Sequence, residues 1–193
     1  DGFSGFGEAN KFGLFPSLSF AWVLSEESFA DNFDWMDLFK LRVSYGSNGN
    51  RTVGRYATLA VVEGGFNYIT ADGTSVYTRN IVSMASPNLQ WETTTGINLG
   101  VDFGILASRL RGSIDYYNNN TTNLLYEVDI PSISGFTKFP DNLGKIHNEG
   151  LEVAITSTNV NMQNLKWSSY VVFSRNRNQL QELLGFDLDD DGK

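Results

Sequence analysis

The chain has 193 residues and a formal charge of −8, with 14 Lys and Arg against 22 Asp and Glu, and no cysteine. That balance argues against a nucleic-acid partner, which needs clustered Lys and Arg. The missing cysteine excludes disulfide frameworks, thiolate metal sites and cysteine nucleophiles.

The longest uninterrupted apolar run, Phe20 to Leu24, has five residues, far below the ~18 that a membrane-crossing helix needs. No transmembrane helix and no signal peptide are expected, and a sequence that starts at Asp1 rather than Met reads as part of a longer one. A mean hydropathy of −0.22 remains compatible with a membrane barrel, in which only alternate residues meet lipid.

In chain order, six segments alternate apolar and polar side chains with the period of a strand. Leu14 to Trp22 sets Leu18, Phe20 and Trp22 against Ser17, Ser19 and Ala21, with Pro16 near the start, where a missing donor is tolerated. Lys40 to Ser47 sets Leu41, Val43 and Tyr45 against Lys40, Arg42 and Ser44. Trp91 to Phe103 is the longest, with Trp91, Ile97, Leu99, Val101 and Phe103 on one face and Glu92, Asn98 and Asp102 on the other. Leu110 to Tyr117, Gly150 to Thr156 and the less regular Trp167 to Arg175 complete the set. Ordinary strands run roughly 5 to 6 residues, whereas a tilted bilayer crossing takes about 9 to 11 with aromatics at its ends. The implied fold class is all-β: the wall of an antiparallel up-and-down transmembrane β-barrel, about six long strands in a meander with long external loops.

The connections alternate too. Val23 to Phe39, Gly104 to Arg109 and Ser157 to Lys166 are short or moderate, while Asn48 to Gln90 and Asn118 to about Glu149 are long. Outer-membrane barrels have short periplasmic turns and long external loops, so Trp22, Phe103 and Trp167 belong at the periplasmic end and Trp91 at the external aromatic girdle. Ser25-Glu26-Glu27-Ser28-Phe29 can cap a helical turn, and a short helix is expected near Asp34 to Phe39.

The order of short motifs adds a resemblance. Phe15-Pro16-Ser17-Leu18-Ser19 with Trp22 and Ser25-Glu26-Glu27, Leu41-Arg42-Val43-Ser44-Tyr45-Gly46-Ser47-Asn48-Gly49-Asn50, and Pro87-Asn88-Leu89-Gln90-Trp91-Glu92-Thr93-Thr94 are followed by Gly112-Ser113-Ile114-Asp115-Tyr116-Tyr117, Thr121-Thr122-Asn123-Leu124-Leu125 and Asn148-Glu149-Gly150-Leu151-Glu152. In this order they resemble the SusC/RagA family of TonB-linked outer-membrane transporters, over Phe12 to about Asn178. The resemblance implies that residues 1–193 are a partial barrel domain of a bacterial outer-membrane importer, with the N-terminal plug and the remaining strands of a barrel of about 22 lying elsewhere. It also implies uptake of oligosaccharides or peptides, a SusD-like lipoprotein lid, and energy from TonB through a missing N-terminal region.

Candidate sites are few. His147, the single histidine, lacks partners at triad or zinc spacing, and no covalent chemistry is assigned. Asp187, Asp189 and Asp191, followed by Gly192, match the first half of a Ca²⁺ loop, against the plainer reading of a solvated acidic loop; no other cofactor is expected. Phe66, Tyr68, Tyr77, Tyr126, Phe136 and Phe139 lie in the long connections, where they can stack on substrate, meet the lid or pack on their own loops. The polar set Arg42, Glu92, Asn98, Asp102, Arg111, Asp115 and Glu152 faces the lumen, to touch substrate or to pair across strands. A glycosidase pairing of Glu92 with Asp102 fails, since ten residues of strand separate them by about 34 Å, against the roughly 5 to 10 Å such chemistry needs. The rival is a soluble all-β carbohydrate-binding module, in which Trp22, Phe103 and Trp167 would be buried together in one core.

Overall fold

The computed structural model of the chain describes residues 1–54, 57–183 and the backbone of 186–187, without the side chains of Phe66 and Ser134. Its elements are β1 (Ser17–Val23), β2 (Met36–Asn50), β3 (Val61–Ile69), β4 (Ser75–Ser83), β5 (Glu92–Ile105), β6 (Leu110–Thr122), β7 (Leu125–Asp129), β8 (Lys138–Asn142), β9 (Lys145–Met162), β10 (Leu165–Leu183) and β11 (Phe186–Asp187), with four single 3₁₀ turns. The main sheet runs β1-β2-β5-β6-β9-β10-β11, antiparallel throughout, while β3-β4 and β7-β8 form two separate hairpins inside the long connections. Each of the six expected crossings is a strand of this sheet, and β2, β5, β6, β9 and β10 extend beyond the stretches that alternate. The added residues lie past the lipid band, where two wet faces give no alternation to read.

Strand register displays the lipid-facing band directly. Trp22, Leu41, Val101, Ile114, Val153 and Phe173 stand in one row across six strands. The next row outward is Phe20, Val43, Leu99, Tyr116, Leu151 and Arg175. Phe20 is the middle of the apolar stretch on β1, but Arg175 lies four residues past Val171, the middle of that on β10. The band therefore slips along the rows. A slip of about 14 Å over about 24 Å of sheet corresponds to strands tilted by about 30°, close to the ~35–45° of closed membrane barrels.

Among the described residues no second layer packs on the main sheet to form a sandwich core. Among the described residues the buried apolar side chains are Phe6, Ala30, Leu89 and Trp91, and Phe20, Val171 and Phe173 are all more than half exposed. Trp22 and Trp167, 40% and 58% exposed, stand on β1 and β10 with four long strands between them, so they share no core. Trp22, Phe103 and Trp167 lie near the short-turn ends of their strands, and the Trp22 indole donates to Glu27 Oε1 at 2.8 Å in the adjoining turn. This is the amphipathic placement that suits an aromatic at a membrane boundary.

The expected helix near Asp34 to Phe39 does not form. Two 3₁₀ turns, Leu24–Glu26 and Ala30–Asn32, precede β2, neither has a side-chain cap, and β2 already begins at Met36. Met36 and Leu38 pair with Ile105 and Gly104 across a bulge, so neighbouring β5 satisfies the backbone that a helix would otherwise have to satisfy alone.

Large flat side chains lie over glycines on neighbouring strands. A Cβ on Gly112 would meet the Phe103 ring at 2.8 Å, and one on Gly150 would meet the Tyr117 ring at 2.4 Å. These glycines leave a hollow that an aromatic fills, which pins register.

Candidate functional site

The lumen face carries a charge ladder across β2, β5 and β6. Arg42 donates through Nε and Nη2 to both oxygens of Asp102, at 2.9 and 2.8 Å, and through Nη2 to Asp115 Oδ1 at 2.9 Å. Arg42 and Asp115 are both register partners of Gly100, one on each side. A Cβ on Gly100 would stand 2.7 Å from the Arg42 guanidinium and from Asp115 Oδ1. The glycine is the gap through which a side chain on one strand reaches two strands over. Glu152 faces Asp115 on β9, and register puts Asn98 and Arg111 on the same face. Within the lumen set Arg42, Asp102 and Asp115 thus pair across strands, with about two-thirds to three-quarters of each side chain buried, while Arg111 and Glu152 are exposed on the same face.

At the external end the loops lock together. Glu92 accepts from Asn50 Nδ2 at 2.9 Å and from the Leu125 amide at 3.1 Å, tying the start of β7 to the rim of β5. Asn142 accepts from the Gln90 amide at 2.8 Å and donates to the carbonyls of Gln90 and Asn123 at 2.9 and 2.8 Å. Trp91 is not on the lipid-facing girdle. It is 6% exposed and packs edge-to-face against Phe6 and Phe15, at centroid distances of 5.3 and 5.4 Å, with Leu89 fully buried beside it. Residues of the N-terminal segment cover it, and Asn10 Nδ2 donates to the Asn88 and Leu89 carbonyls at 3.3 Å. Parity of the strand put Trp91 with Leu99, but β5 begins only at Glu92, and beyond a strand end parity no longer sets direction.

Between these loops opens a cavity of about 300 Å³, lined by Val53, Val61, Met84, Leu125, Tyr126 and Glu127 among others. Of the six loop aromatics named from sequence, Tyr126 lines this cavity. Phe139 pairs with Val128 in the same β7-β8 hairpin, next to the cavity residue Pro140, and Phe136 is half-buried in the loop before β8. Tyr68 and Tyr77, each 64% exposed, project from the β3-β4 hairpin. The side chains of Phe66, Asp187, Asp189 and Asp191 lie outside the described residues. His147 Nδ1 lies 2.8 Å from Asn120 Oδ1, and its Nε2 lies 3.7 Å from Glu149. It bridges strands at the rim.

A family model described as TonB dependent receptor-like, beta-barrel, matches residues 1–193. The chain belongs to this family. Similar relatives are the TonB-dependent receptor P39 of Formosa agariphila, 35% identical over 192 residues and all of this chain, and the TonB-dependent receptor SusC of Bacteroides thetaiotaomicron, 32% identical over 97% of it. The chain spans 18% and 19% of the length of those two relatives. Among solved structures, the RagAB peptide importer in its closed-closed state superposes with a TM-score of 0.83 at 28% identity, covering 93% of this chain and 19% of that one. Its open-open state gives 0.81 at 26% identity, over 98% and 20%. As a TonB-dependent receptor of SusC/RagA type, the chain is a wall segment of an outer-membrane transporter barrel. The lipid-facing band and the wet opposite face are its two working surfaces.

Sequence reasoning missed the N-terminal contribution. Phe3 and Phe6 pack together at 5.0 Å, and Arg51 stacks over Phe3 at 4.7 Å. Asp1 to Gly13 has no strand or helix period, and the repeated Phe-Gly spacing was the one available signal.

Proposed function

We propose that this segment forms the barrel wall and external vestibule of a TonB-dependent importer of oligosaccharides or peptides, working beneath a SusD-like lipoprotein lid. The segment performs no bond chemistry; TonB acts on parts of the protein beyond it. The observation that carries this reading is the pairing of a tilted, lipid-facing wall with external hairpins that close around the Tyr126 cavity. Likeness to the RagAB peptide importer supports the peptide class, and the oligosaccharide class rests on the SusC/RagA motif resemblance together with the aromatic loops. Tyr126, Phe136 and Phe139, with Tyr68 and Tyr77 from the neighbouring hairpin and Phe66 beside them in sequence, are the proposed substrate and lid contacts. An aromatic face suits a sugar ring or an apolar peptide side chain, and Glu127 on the cavity wall offers an acceptor.

The test is uptake of fluorescent oligosaccharide and peptide libraries by cells that carry the full-length transporter. Tyr126→Ala is expected to lower uptake of one class by about two- to tenfold, the loss of one aromatic contact, while surface levels stay unchanged. Unchanged uptake of both classes would remove Tyr126 from the substrate path. Absence of any uptake by the wild type would reject the importer reading.

A further inference from the structure

We propose that Arg175 and Arg177 form a binding site for the phosphate of an anionic glycolipid in the outer leaflet. On β10 the outward-facing apolar residues Val171 and Phe173 are followed on the same face by Arg175 and Arg177. Arg175 stands opposite Leu151, Arg177 opposite Glu149, and Tyr116 lies on the far side of Leu151. Together these residues line an open cleft of about 240 Å³.

Both position and charge direct the assignment. The apolar band slips towards the short-turn end as the sheet passes from β1 to β10. On the last strand its external limit falls at Phe173, with Arg175 at the hydrocarbon boundary and Arg177 in the headgroup layer. The long connections lie at this same end, so the boundary is that of the outer leaflet. A guanidinium facing lipid is costly at the midplane and tolerated near the interface, where an anion can satisfy it. Glu149 is the carboxylate nearest the cleft. It lies 3.9 Å from Arg177 and 3.7 Å from His147, whereas Arg175 has no ion-pair partner among the described residues. Two guanidiniums against the single Glu149 carboxylate leave the cleft lining with a net positive charge. Guanidinium forks match phosphate oxygens in pairs. Leu151 lines the cleft and Phe173 precedes Arg175 on the same strand face, an apolar neighbourhood that suits acyl chains and makes the phosphate a lipid-borne one.

The experiment uses the full-length transporter in detergent, titrated with lipid A and read by native mass spectrometry. Dephosphorylated lipid A, inorganic phosphate as competitor, and three variants complete it: the double variant R175Q/R177Q, the conservative R175K, and Lys138→Gln on an exposed external hairpin. The expected result is lipid A binding at least about tenfold weaker in R175Q/R177Q, partly retained in R175K and unchanged in Lys138→Gln. Binding should survive millimolar phosphate and fall on dephosphorylation. Equal affinity in the double variant, or equal binding of dephosphorylated lipid A, overturns the proposal. Displacement of lipid A by inorganic phosphate would overturn the lipid assignment in favour of a free-anion site. Should the double variant fail to assemble, the wild-type comparison of the two lipids still decides.

Discussion

Single residues on this wall act according to the face they occupy. Leu99, 42% exposed, belongs to the row of Phe20, Val43 and Tyr116 that faces lipid. Leu99 stands between Ile97 and Val101 in the middle of the outward apolar face of β5, so Leu99→Arg in the full-length protein is expected to cost about 2 to 4 kcal/mol and to impair assembly. Heat-modifiable mobility and surface labelling would measure this, and wild-type assembly would refute the assignment. On the other face, Gly100 exists for Arg42. Gly100→Ala should destabilise by about 1 to 2 kcal/mol in the parent by displacing the guanidinium, and by much less in an Arg42→Ala background. Urea unfolding of the four proteins in a double-mutant cycle checks the coupling; additive effects would show that the glycine has another role. Alternation predicted that Arg42, Asp102 and Asp115 share a face. It could not show them in contact, because contact depends on strand order and register, to which each strand contributes only half.

At the level of elements, the tight turns and the hairpins carry different constraints. The β5-β6 turn holds Leu106, Ala107 and Ser108 at φ of 59°, 53° and 56°, three successive left-handed residues without a glycine. Asp37 Oδ2 accepts from the Ser108 amide at 2.6 Å and the Leu106 amide donates to the Trp35 carbonyl at 3.0 Å, which holds the turn against its neighbour. Because Ala in this region costs roughly 1 to 2 kcal/mol, Ala107→Gly is expected to stabilise the barrel by about 1 kcal/mol, less the added freedom of the unfolded chain. A raised urea midpoint is the expected reading, and a lowered one would contradict the turn geometry. The crossings were legible as elements because one face must meet lipid and the other water. Hairpins β3-β4 and β7-β8 were not, since β3 contains Gly64 and Gly65 and a register shift between Gly64 and Phe66, and neither hairpin is required to be apolar on one side. The helix expected near Asp34 failed for a related reason, as local capping residues are outweighed when a neighbouring strand offers a complete ladder.

For the whole molecule, the main sheet is open among the described residues. Among these residues, β1 keeps one free edge and β10 is paired beyond β9 only to the two residues of β11. Placed in water by itself, residues 1–193 would expose the whole lipid-facing band and those edges. Sedimentation is expected to show large aggregates for the isolated segment, and a monodisperse soluble monomer would revive the reading of a water-soluble binding module. The full-length transporter in detergent should sediment as a discrete species.

The sequence by itself determined the strands that cross, the face each turns to lipid, the ends that carry long loops and the family. The strands and their faces follow from a period of two, the loop ends from the lengths of the connections, and the family from the order of short motifs, all of them properties read along the chain without any contact between strands. Only the tertiary structure decided that Trp91 is an external core residue under Phe6 and Phe15, that Gly100 opens a passage for Arg42, that Asn142 ties three loop segments together, and that Arg175 and Arg177 meet Tyr116 at the membrane rim. Each of these depends on which residues distant in sequence become neighbours. That is set by register between strands and by the tilt of the sheet, and neither is written in any one segment.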